Sequence, residues 1–125
     1  MKRLILFLAI VTASPAGAER GRPMVLTFDA LERYVARFNA LDEEIHPQAV
    51  TNAEAFDFLK RNIPLLSCPD ESIERTYYYR WWTYRKHIKK TPDGFIITEF
   101  LPDVSWAGKH NAIPCAAEHH FMEGR

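Results

Sequence analysis

Ser67 to Ile88 reads SCPDESIERTYYYRWWTYRKHI, and at its centre, Tyr77 to Tyr84, six of eight positions carry aromatic rings. Pro69 suits a first helical turn, and Asp70, Glu71 and Glu74 suit the positive end of a helix dipole. Lys86, Lys89 and Lys90 suit the opposite end, so the segment is expected to be one helix running through Ile88. Ile73, Tyr77, Trp81, Tyr84 and Ile88 recur along one stripe, with Tyr78 and Trp82 on the neighbouring one. A helix with rings around so much of its circumference is either buried or lines a cavity.

Upstream, Thr27 can cap a helix in which Phe28, Leu31, Val35, Phe38, Leu41 and Ile45 share a face, ended by His46-Pro47. Thr51 or Asn52 caps a shorter helix to about Arg61, with Phe56, Leu59 and Ile63 on its apolar side, and Pro64 stops it. Downstream, Thr91-Pro92-Asp93-Gly94 is a turn, and Phe95 to Leu101 is an apolar β-branched run that fits a short strand. Pro102 and Gly108 bracket an irregular loop before a last helix. The expected fold is therefore mainly α, built of helical hairpins with one short strand near 95–101. No internal repeat is visible.

The first residues form a pattern of their own. Lys2 and Arg3, the apolar run Leu4 to Val11 and the small residues Ala16-Gly17-Ala18 match a secretory signal peptide cleaved after Ala18. That apolar run is far short of the ~20 residues a spanning helix needs, so no stable membrane insertion is expected after cleavage. The expectation is a secreted or periplasmic mature segment, residues 19–125. Loss of Lys2 and Arg3 leaves 14 Lys+Arg against the 16 Asp+Glu of the whole chain. This slightly acidic balance argues against nucleic acid as a partner. The sequence from Asn111 reads as a helix just begun, which suggests a chain truncated at its C-terminus; a frayed terminal helix is the alternative. Cys68 and Cys115 can be bridged in an oxidising compartment or remain free thiols.

Chemistry concentrates in the loop Thr98 to Asn111, TEFLPDVSWAGKHN. Trp106 offers a flat apolar platform, while Lys109, His110 and Asn111 supply donors and acceptors. Together they suit a sugar, whose ring has apolar faces and a rim of hydroxyls. The plainer alternative packs Trp106 on the core and uses Asn111 as a helix cap. Arg80, set among the rings with Trp81 and Trp82, either faces a ligand or pairs with Glu99 or Asp103, and Arg85 has the same two options. Glu99 and Asp103 are the carboxylates available for acid and base work, although pairing with Lys109 or an arginine is the simpler fate. His119 and His120 diverge by about 100° on a helix and so do not form an i, i+4 metal pair. Neither a metal nor another cofactor is expected, and phosphate-loop, dinucleotide and serine-hydrolase motifs are absent.

At YYYRWWTYRKHI and GFIITEFLPDVSWAGKHNAIPCAAEHHFMEGR the chain resembles the N-terminal part of bacterial exported proteins with a mannosylglycerate-hydrolase-like glycoside hydrolase domain. The resemblance spans Cys68 to Arg125. It implies part of a six-hairpin (α/α)6 toroid and inverting hydrolysis of a glycosidic bond, with the catalytic acid and base on later loops beyond Arg125. It also implies that Trp106 and its followers are substrate-binding, and the aromatic helix itself suggests Arg80, Trp81 and Trp82 on the same wall. Ala107, Gly108 and Lys109 stand where relatives often carry an Asp, which points to a different glycan. The rival expectation is a non-catalytic carbohydrate-binding or scaffold protein.

Overall fold

A computed structural model describes residues 25–124; the expected leader, its cleavage site and the polar lead to Met24 lie outside the described residues. The chain is mainly α. It contains α1 (Asp29–Ala40), α2 (Ala55–Asn62), α3 (Glu71–Lys86), the antiparallel pair β1 (Ile88–Thr91) and β2 (Gly94–Ile97), two 3-10 turns (Lys109–Asn111 and Pro114–Ala116) and α4 (Ala117–Gly124).

Helices α1, α2 and α3 pack on one another around Leu31, Tyr34, Val35, Phe38, Ala55, Leu59, Tyr78 and Trp82. Removing an aliphatic side chain such as Leu59 from a core of this kind costs about 2–5 kcal/mol. The rings form a continuous stack in which Tyr34 meets Tyr78 at 5.5 Å and Phe38 meets Trp82 at 5.7 Å. Their polar ends are satisfied. The Tyr78 hydroxyl donates to Leu66 O and accepts from Leu66 N, Trp82 Nε1 donates to Asn39 Oδ1, and the Tyr34 hydroxyl donates to Glu74.

Helix α3 starts where its acidic cap predicts. Asp70 accepts from the Ser72 and Ile73 backbone amides at 2.8 and 3.4 Å, which satisfies donors that no preceding turn can reach. Its core face differs from expectation. Tyr78, Trp82 and Arg85 are the buried residues, whereas Ile73 is exposed and Tyr77 and Trp81 are half-buried at the margin. The helix also ends sooner, at Lys86. Ile88, Lys89 and Lys90 instead form β1, paired in register Ile88↔Ile97 through Thr91↔Gly94. The two-residue turn Pro92-Asp93 closes this hairpin, and Gly94 takes φ 125°, a conformation that side chains disfavour. The expected strand near 95–101 is thus four residues long, and its partner lies in sequence read as helix.

Helix α1 likewise stops at Ala40 rather than Ile45, leaving Leu41 and Ile45 exposed. The physical reason is Arg85, whose side chain is fully buried. Its guanidinium donates to Gln48 Oε1, Val50 O and Asn52 Oδ1 and lies 4.9 Å from the Trp82 ring centroid. The chain between α1 and α2 must be non-helical to bring these acceptors around it. Asp42 adds a second tie by accepting from Lys86 Nζ at 2.7 Å. Burial raises the Asp42 pKa, but hydrogen bonds from Lys86 and Asn52 outweigh it and hold the carboxyl below the ordinary carboxylate range.

Candidate functional site

Two polar clefts and one apolar groove are lined by residues of α3, the hairpin, the following loop and α4, and by none of α1 or α2. The larger polar cleft, about 460 Å³, runs between α3, the end of β2 and α4. Thr76, Tyr79, Arg80, Thr83 and His87 line it from α3 and its cap, Thr98 and Glu99 from the chain after β2, and His120 and Glu123 from α4. Its volume lies within the range of small-ligand sites. Tyr79 is 49% exposed and lies beside three threonine hydroxyls and that of Tyr84, two imidazoles, a guanidinium and two carboxylates. That mixture of a flat apolar surface with closely set donors and acceptors suits a polyhydroxylated ligand.

Arg80 in this cleft is paired with Glu123 of α4, and with neither Glu99 nor Asp103. The Tyr84 hydroxyl donates to His120 O at 3.0 Å and so secures the same helix. Burial first, and the Glu123 charge second, push the Tyr84 pKa up, which keeps this donor protonated. A Cβ on Gly124 would meet the Tyr84 hydroxyl at 2.1 Å, so a side chain there would require the Tyr84 ring to shift.

The second polar cleft, about 390 Å³, is lined by Lys89, Lys90, Thr91, Pro92, Asp103, Val104, Gly108, His110 and Asn111. Lys109 and His110 converge on Asp93 in the hairpin turn, His110 Nε2 lying 2.9 Å from Asp93 Oδ2. Hydrogen bonds from Lys109 and then His110 hold the Asp93 carboxyl below its usual range. Asp103 pairs with Lys89 at 3.0 Å and is largely exposed. Asp103 therefore pairs with Lys89 rather than with Lys109 or an arginine, and Glu99 lines the larger cleft.

Asn111 is placed as the latch of the loop. Its side chain accepts from Val104 N at 2.9 Å and donates to Pro102 O at 2.8 Å and Phe100 O at 3.3 Å. Its carbonyl accepts from Thr98 Oγ1, and its backbone sits at φ 58°, a conformation asparagine tolerates. The Asn111 amide is thus occupied by the chain itself rather than open to a ligand. Trp106 is 68% exposed and meets Phe100 edge-on at 4.9 Å, so one indole surface remains free.

Trp82, expected on the sugar wall, is a core residue at 4% exposure, covered by Phe38, Tyr79, Arg85 and Lys86. Trp81 is half-buried between Tyr77 and Tyr84. Of the α3 residues expected from sequence on the sugar wall, Arg80 alone lines the larger cleft, joined there by Tyr84 of the aromatic stripe. Thr76, Tyr79, Thr83 and His87 were missed, although Thr76, Arg80, Thr83 and His87 recur at helical spacing and mark a polar stripe beside the rings.

Cys68 is half-buried, Cys115 is exposed, and both are free. Among the described residues, no group of three or more His, Cys, Asp or Glu is placed to hold a metal ion. No described helix is long and apolar enough to cross a membrane.

The fold and its clefts define a helical segment with polar, ring-bearing surfaces, and comparison with known proteins places it beside a glycosidase. A solved chain described as a sialidase is 44% identical to this one and superposes with a TM-score of 0.76, covering 79% of this chain. This chain spans only 9% of the length of that sialidase. It matches no family model and no curated protein.

Proposed function

We propose that the chain is the sugar-contacting segment of an exported glycoside hydrolase, with a glycan seated in the cleft between α3 and α4. The observation that carries this reading is the 44% identity, at a TM-score of 0.76, to part of a sialidase. The cleft chemistry agrees with it. Tyr79 stacks on the apolar face of a sugar ring, Arg80, His87 and His120 donate to hydroxyl or acidic groups, and Glu99 and Glu123 accept. Trp106 supplies a second platform on the neighbouring loop.

The cleft does not by itself supply a free pair of carboxyl groups for acid and base work. Most glycoside hydrolases use two carboxyl groups flanking the scissile bond, whereas sialidases use a tyrosine nucleophile in place of one. Here Glu123 is tied to Arg80 and Asp103 to Lys89, which leaves Glu99 without a free carboxylate partner among the cleft residues. Alone, then, the segment binds and does not cleave. Closure of the helices into an (α/α)6 toroid, the mannosylglycerate-hydrolase-like family and export through a leader cleaved after Ala18 belong to the same proposal.

The test is calorimetric titration of the folded chain with sialosides and neutral oligosaccharides. Binding should weaken at least tenfold in Tyr79→Ala and in Arg80→Ala, and less in Trp106→Ala. Absence of binding to every glycan, or binding indifferent to all three substitutions, contradicts the proposal.

A further inference from the structure

His87, the C-terminal cap of α3, lines the larger cleft with its ring fixed in one tautomer. Nδ1 lies 2.8 Å from Thr98 O. A carbonyl oxygen only accepts, so Nδ1 carries a proton, and in the neutral ring Nε2 is then an acceptor. The anchor is well held. Thr98 is 2% exposed, its backbone N donates to His87 O at 3.0 Å, and its hydroxyl donates to Asn111 O. Among the described residues His87 Nε2 has no hydrogen-bond partner and is not buried, so it stands open on the cleft wall.

Such a ring takes a second proton at Nε2 without losing its anchor, because Nδ1 donates in both charge states. Protonation turns a cleft acceptor into a charged donor. Imidazoles ordinarily change charge between pH 5 and 8, a range in which carboxyl, phenol and guanidinium groups keep theirs. The titratable and charged groups that share the cleft with His87 are Tyr79, Arg80 and Tyr84 of α3, Glu99 after β2, and His120 and Glu123 of α4. Lys86 and Lys89, close to it in the chain, are turned to Asp42 and Asp103. One guanidinium against two carboxylates leaves the cleft acidic, and protonation of both imidazoles reverses its sign. We infer that His87 sets which glycans the cleft accepts: uncharged, hydroxyl-rich sugars while Nε2 is an acceptor, and carboxylate-bearing sugars once it is a charged donor. The inference rests on the glycan reading of this cleft and adds to it a choice between ligand classes governed by pH. The ring of His120 has no comparable anchor among the described residues, so His87 is the specificity-determining imidazole.

The experiment is calorimetric titration of the chain at about pH 5.5 and about pH 8, either side of the ordinary imidazole range, with sialyllactose and with its methyl ester, which lacks only the negative charge. Sialyllactose should bind at least tenfold tighter at the lower pH, because only the protonated fraction of the protein is competent for it, while the ester changes less than threefold. His87→Asn keeps a donor for Thr98 O at the place of Nδ1 and removes Nε2. It should flatten the sialyllactose profile to within threefold, with circular dichroism checking the fold, whereas His120→Asn keeps most of the profile. NMR titration of the wild-type ring gives a measurement independent of any variant: His87 should stay protonated to higher pH with sialyllactose than with the ester. Parallel pH profiles for the two ligands, a profile that survives His87→Asn, or a His87 titration indifferent to sialyllactose overturns the inference and leaves the glycan reading standing. No binding of either ligand at either pH overturns both.

Discussion

Replacing Asn111 with alanine separates a loop latch from a sugar ligand. The substitution removes the acceptor for Val104 N and the donors to Pro102 O and Phe100 O. The last of these bonds is long, so two good hydrogen bonds are lost at about 0.5–1.5 kcal/mol each, more if Val104 N–H stays buried without a partner. Alanine must also hold φ near 58°, which costs roughly 1–2 kcal/mol in the left-handed region. The expected loss is about 2–5 kcal/mol, measured by urea unfolding, with faster amide exchange at Val104. Asn111→Gly loses the same hydrogen bonds but not the backbone compatibility, so it should be about 1 kcal/mol less damaging than alanine. A loss below about 0.5 kcal/mol with unchanged exchange at Val104 would refute the latch and leave Asn111 free to serve a ligand.

Arg85→Met should destabilise by about 3 kcal/mol or more, because three acceptors lose a charged donor, and hydrogen exchange should rise selectively over residues 41–54. Asp42→Asn should lower stability at neutral pH, with a deficit that shrinks in acid. The depressed folded pKa contributes stability present above the unfolded value of about 3.9, lost as pH falls through the folded one. Unfolding curves of wild type and variant that stay equally separated at pH 7 and pH 2.5 would contradict that linkage. Gly94→Ala meets no atom within 4 Å, so its cost is purely conformational, about 1–3 kcal/mol, and should appear as a lower Tm.

Helix α3 is legible in the sequence because its start is a local event: Pro69 and Asp70 set the first turn without help from the rest of the chain. The mainly α class follows from the same kind of signal in Leu31, Val35 and Phe38. What the sequence conceals depends on partners far along the chain. Leu41 and Ile45 continue the helical period of α1, yet the buried Arg85 guanidinium, more than thirty residues on, requires the intervening backbone as a source of acceptors. Ile88 continues the stripe of α3, yet pairing with Ile97 takes it into a strand. The same limit governs the site. Periodicity shows that Trp81 and Trp82 adjoin, but which of them faces the core depends on where α1 lies. The polar stripe from Thr76 to His87 was open to reading, and the larger signal of the neighbouring rings obscured it.

The most direct test of the glycan proposal is to measure binding and turnover on one sample of the folded chain, using amide chemical-shift mapping for the first and product analysis for the second. The account predicts glycan-induced shifts concentrated at Tyr79, Arg80, Glu99 and His120, with no hydrolysis. Shifts elsewhere or none at all, or cleavage that Glu99→Gln abolishes, would contradict it.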